Sequence, residues 1–130
     1  MLSEYVEKVL KIREECPRQS MAVREYALVY MVAETVKPRR ILEAGTGYGF
    51  STHVLHKACP TAEIDSIDNL SDRLGEEWGK YVRGVRNVHL ICGDSKDIIP
   101  RLVQERDYGL ALLDDGHSEE IVFKNVVDCT

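Results

Sequence analysis

From Pro38 onward the chain repeats one pattern: a short apolar run, a polar or glycine-rich turn, then a segment with helical spacing. Parallel strands need a crossover between them, and a helix usually provides it. The alternation therefore points to an α/β domain with a parallel sheet and flanking helices. Strands are expected at Arg40–Ala44, Glu63–Asp68, 87–92 and 109–113, the last fully apolar. Helices are expected at Phe50–Ala58, at 71–81 with Ser71 as cap, and from Asp97 or Ser95 to about Glu105. Gly75 and Gly79 weaken the second of these. Pro100 suits the third only if it sits in the first turn. Ser118 is placed to cap a last helix carrying Ile121, Val122 and Val126. A strand-plus-helix unit takes roughly 30 residues, so 130 residues hold about four of them.

Ahead of Pro38 the spacing is helical throughout. Leu2–Glu15 places Val6, Val9, Leu10 and Arg13 on one face, and Pro17 ends it. Ser20 is a plausible cap for a second helix reaching Val36, with Val23, Tyr26, Ala27, Tyr30 and Met31 as its stripe. Lys37 and Pro38 close it. The expected organisation is one domain, 1–130, with N-terminal helices over 1–37 and a core over 38–130.

Seventeen basic and 22 acidic residues give a net charge of −5. That argues against a nucleic-acid or anionic-membrane footprint, though local dipoles can still hold a small anion. No apolar run approaches the ~18 residues that span a bilayer. The first residues mix Glu and Lys and lack a signal-peptide core, so a cytoplasmic location is expected. Four cysteines, Cys16, Cys59, Cys92 and Cys129, form no C-x-x-C pair and read as reduced structural thiols, with Cys92 in a buried strand.

Ligands of parallel sheets bind outside the carboxyl ends of the strands. That puts Glu43 to Gly49, Asp68, Asp94 and Asp114 on one rim. After Glu43 comes Gly45-Thr46-Gly47-Tyr48-Gly49-Phe50-Ser51. Its glycines allow a tight turn and close approach of a ligand, and the following helix start favours a carboxylate or phosphate. Ser51 adds a hydroxyl donor. A dinucleotide site would read G-x-G-x-x-G; here Phe50 holds the third glycine's place, which favours another nucleoside-containing ligand. Asp68, followed by Asn69, suits a ribose diol or else caps a helix. Asp94, Ser95 and Lys96 sit where an adenine edge would be read, but are equally turn and cap residues. Asp114 and Asp115 follow the apolar fourth strand. Asp114 suits a hard cation or a sulfonium, and His117 suits a general base or is a plain loop residue. His53, His56 and His89 form no constellation and read as structural or exposed.

Together the stretches 41–52, 63–69, 92–102 and 110–118 resemble a class I S-adenosylmethionine-dependent methyltransferase, within the catechol and caffeoyl-CoA O-methyltransferase group. The resemblance implies a Rossmann-like sheet of order 3-2-1-4, stopping after the fourth strand. It implies that Glu43, Gly45, Thr46, Gly47 and Tyr48 line the methionine side of the cofactor and that Ser51 meets its carboxylate. Asp68 and Asn69 hold the ribose, and Asp94, Ser95 and Lys96 border the adenine. Asp114 aligns with a Mg2+ ligand of that group, and His117 stands where a catalytic lysine does. A divalent ion on Asp114, alone or with Asp115, would be weakly held and mostly hydrated.

The expected activity is methyl transfer to an oxygen of a small-molecule acceptor. The alternatives are a non-catalytic or truncated cofactor-binding module and, less favoured, a nicotinamide-dependent oxidoreductase. A sheet ending at its fourth strand would expose Leu110, Ala111, Leu112 and Leu113 as an apolar edge. A homo-oligomer is therefore expected, through that edge or the N-terminal helices.

Overall fold

The computed structural model describes residues 1–18, 21–69, 75–114 and 119–122. Two helices lead: α1 (Leu2–Glu15) and α2 (Val23–Val36). They pack together, Tyr5 near the start of α1 donating to Glu34 near the end of α2 at 2.8 Å. The inward line runs through Tyr5, Val9 and Ile12 of α1 to Cys16 just past its end, spaced four, three and four. This corrects the expected face: Leu10 and Arg13 point to solvent. α2 begins after Ala22 without a side-chain cap, and Ser20 lies outside the described residues. At its far end Lys37 turns left-handed (φ 53°) and its N–H reaches Ala33 O. Pro38 then forbids continuation.

The core follows as β1 (Arg40–Ala44), α3 (Phe50–Ala58), β2 (Glu63–Asp68), a short 3₁₀ turn (Gly75–Glu77), β3 (Val88–Cys92), α4 (Ser95–Glu105), β4 (Leu110–Asp114) and β5 (Glu119–Val122). The sheet order is β3-β2-β1-β4-β5. The first four strands are parallel in the expected 3-2-1-4 order, and β5 runs antiparallel against β4.

Alternation sends strand residues to two faces. Ile41, Ile64, Leu110 and Leu112 meet the face covered by α1, α2 and α3, where the Phe50 ring lies tilted against Tyr26, centroids 4.6 Å apart. Leu42, Ile67 and Ala111 meet Ile98 and Leu102 of α4. Below that second face Asp65 is fully buried. It accepts from Tyr108 Oη (2.6 Å) and Arg106 Nη1 (2.7 Å), with Arg40 Nη1 at 3.5 Å. Burial, and then this bond, push the Tyr108 hydroxyl well above its ordinary range.

Several expectations are corrected. The helix over 71–81 gives way, from residue 75 on, to the 3₁₀ turn and further turns. Gly75 (φ 55°) and Gly79 (φ 63°) are left-handed, which no right-handed helix accommodates. A Cβ at Gly79 would also stand 2.6 Å from Leu90 Cδ1. Asp94, not Asp97 or Ser95, caps α4. Pro100 lies inside α4 beyond its first turn, leaving the Lys96 carbonyl without its helical donor; both residues are exposed. The last helix is replaced over Glu119–Val122 by β5, so β4 is not the sheet edge. Cys92 is exposed because β3 is an edge strand, whereas Cys16 and Cys59 are buried. Burial pushes the Cys59 thiol up to about 11, as befits an inert structural thiol. Cys129 lies outside the described residues. Among the described residues no helix is long and apolar enough to cross a membrane.

Candidate cofactor-binding rim

Glu43 is the fourth residue of β1, pairs with Ser66 of β2, and is only 1% exposed. A carboxylate in such a place needs donors. Three hydroxyls supply them: Ser51 Oγ at 2.5 Å, Thr52 Oγ1, and Ser66 Oγ at 2.7 Å. Ser66 commits its only proton to Glu43, so in its 2.5 Å contact with Thr46 the threonine is the donor. α3 contributes two of these groups because Ser51 and Thr52 occupy its first turn. Thr52 and Ser66 were not singled out in the sequence. Ser66 shares a strand face with apolar Ile64, and the parallel register of the folded sheet sets it beside Glu43.

Above this cluster the glycine loop is tied to β2. Gly45 N–H donates to Ile67 O (2.7 Å), and Gly47 N–H to Asp68 Oδ2 (2.6 Å). Asp68 is 5% exposed. Gly93 N–H donates to Asp68 O, bringing the β3–α4 turn to the same place. Gly47 (φ 53°) has open space where a Cβ would be. Gly49 (φ 96°) does not: a Cβ there would meet Val82 Cγ2 at 3.1 Å.

Tyr48 is half-buried between those glycines. Its O accepts from Tyr81 N–H, and Gly47 O accepts from Gly79 N–H, so residues 79–81 lie against the loop. Arg18 Nη1 donates to Tyr48 Oη (3.2 Å), with its guanidinium carbon 5.2 Å from the ring centroid. Lys80 Nζ lies 5.6 Å from the same centroid and pairs with Glu77 at 2.7 Å.

The structure thus brings Glu43, Gly45, Thr46, Gly47, Tyr48, Ser51 and Asp68 together at adjoining strand ends. Asn69, Asp94 and Lys96 are exposed and Ser95 half-buried. Asp94 accepts from Lys96 N–H at 2.9 Å as the α4 cap. Asp114 ends β4, and His117, with Asp115 and Ser118, lies outside the described residues. His89 is exposed, 3.5 Å from Glu63, and His53 and His56 are half-buried. Among the described residues no three His, Cys, Asp or Glu side chains gather as a metal set.

No family model matches the chain, and no curated protein matches it. Solved structures do. An S-adenosylhomocysteine-bound methyltransferase from Podospora anserina is 25% identical, with a TM-score of 0.60 over 87% of this chain and 49% of that one. An O-methyltransferase from Streptomyces achromogenes involved in tomaymycin synthesis, in complex with S-adenosylmethionine, is 24% identical, with a TM-score of 0.56 over 85% and 53%. A Bacillus cereus O-methyltransferase in complex with S-adenosylhomocysteine is 16% identical, with a TM-score of 0.63 over 85% and 54%. The fold is that of a class I methyltransferase. This methyltransferase-like chain spans about half the length of the structures it matches.

Proposed function

We propose that the chain binds S-adenosylmethionine on this rim, in the cytoplasm, as the cofactor-holding part of an O-methyltransferase acting on a small molecule. The observation that supports it best is the Gly47–Asp68 bond. It fixes a carboxylate beside a backbone position with open space above it, as a ribose diol lying on a glycine loop requires. The residues present fit an adenosyl ligand: an acid for the diol, an open glycine, and the start of α3 for an anion.

When bound, S-adenosylmethionine supplies an electrophilic methyl carbon. The chain's own residues position the reactants and exclude water. Glu43 and its hydroxyls set the loop from below, and Gly45, Thr46, Gly47 and Tyr48 line it. Asp68 and Asn69 take the ribose, Asp94, Ser95 and Lys96 border the base, and Ser51 stands at the helix start. His117 takes the acceptor's hydroxyl proton. Mg2+ at Asp114 is a separate part of the proposal, read by whether calorimetric acceptor affinity changes with added Mg2+.

Calorimetry with S-adenosylhomocysteine tests the central reading. Wild type binds, and Asp68→Asn, which keeps an acceptor for Gly47 but loses the charge, binds about tenfold or more weakly. No binding at millimolar ligand would sink the proposal. Methyl transfer to catechols, phenols and sugars, with His117→Ala as control, then separates an enzyme from a binding module; cofactor binding without turnover favours the module. A nicotinamide site is disfavoured by Phe50, whose ring is buried on Tyr26 where a third glycine would stand. Titration of NADH fluorescence checks that reading.

A further inference from the structure

Resting on that reading, we infer that Arg18, from the connection between α1 and α2, is the group that holds the cofactor's carboxylate. The resemblance gives this role to the Ser51 hydroxyl. In the structure that hydroxyl donates to Glu43 and is buried, so its one proton is already placed. A carboxylate ligand needs donors, and it needs to lie away from other anions.

The rim sorts the two ends of the ligand by charge. Asp68, tied to Gly47, is the carboxylate suited to the diol and repels a second carboxylate, while Glu43 lies buried under its three hydroxyls. At Tyr48, within the same loop, Arg18 and Lys80 both lie over the ring, within 6 Å of its centroid. Lys80 pairs with Glu77, which also feels the Arg18 charge, but among the described residues no carboxylate lies within ion-pair distance of Arg18. Tyr48 takes one of the five N–H donors of a guanidinium. The same contact orients the fork, and the exposed position of Arg18 leaves its remaining edge accessible. A second anchor fixes the backbone: Arg18 N–H donates to Tyr81 Oη at 2.9 Å. Tyr81 is itself held to the loop through Tyr48 O. The guanidinium is thus held at the glycine loop by Tyr48, with its backbone fixed by Tyr81.

A pair of ligands tests this. S-adenosylhomocysteine carries the carboxylate, and 5′-methylthioadenosine has the same nucleoside thioether without it. Calorimetry compares both on wild type, Arg18→Gln and Arg18→Lys, with circular dichroism to confirm that each variant is folded. Arg18→Gln is expected to weaken S-adenosylhomocysteine about tenfold or more, the scale of a charged hydrogen bond. It should leave methylthioadenosine within about twofold, and Arg18→Lys should recover part of the loss. Equal weakening of both ligands would mean that Arg18 merely shapes the loop, and no weakening of either would mean that it is uninvolved; each overturns the inference. If wild type binds neither ligand, the cofactor reading itself fails, an outcome visible before any variant is made.

Discussion

Glu43 shows how much a single buried charge can organise. Its carboxylate is reached by three hydroxyls from two different elements, and Thr46 joins through Ser66. Removing one hydroxyl leaves an acceptor short of a donor in a place water does not reach. Ser66→Ala, which strips a donor from Glu43 and an acceptor from Thr46, should cost about 1–3 kcal/mol in urea denaturation, with an unchanged slope. A loss within experimental error would mean that the cluster is not cooperative. At this scale the sequence was partly readable. An acid before three glycines marks a rim, and the residues named there do converge. What neighbours Glu43 across the sheet depends on register, so Ser66 stayed hidden among apolar neighbours, and Arg18, far away in sequence, gave no sign.

α3 carries a polar oddity on its way from the rim. Both ring nitrogens of His53 and Nδ1 of His56 are buried without a hydrogen-bond partner among the described residues. Burial, then Lys57, lowers both pKa values below 6.5. The folded chain therefore prefers neutral imidazoles, and the unfolded chain takes up protons first. Their contribution is fully present above the unfolded pKa and is lost as pH falls through the folded values. The denaturation midpoint should drop from about pH 7 to about pH 5, and the drop should shrink in His53→Leu. A variant with an identical acid slope would show that these rings are not responsible. Elements were the best-read level. β1, β2, α1 and α3 fall where their residue patterns put them, since periodicity and Pro38 are local signals. Two of the failures are non-local in origin: Gly79 packs against Leu90, and β5 depends on pairing with β4, which no local pattern encodes.

For the whole molecule, β5 removes the apolar edge on which the expectation of an oligomer partly rested. The N-terminal helices still present Leu2, Leu10 and Leu28 to solvent. Association is expected through these exposed leucines. We expect a dimer by light scattering at micromolar concentrations and a monomer for Leu28→Glu; a monomeric wild type would refute it. The ties between the glycine loop and β2 carry another consequence. Gly45, Thr46 and Gly47 take their partners from Ser66, Ile67 and Asp68, some twenty residues later in the chain. During synthesis, a chain that has released only its first strand and third helix has no finished cradle. The proposed cofactor surface comes into being only when the second strand docks, so any competence to bind follows the first non-local step of folding rather than preceding it.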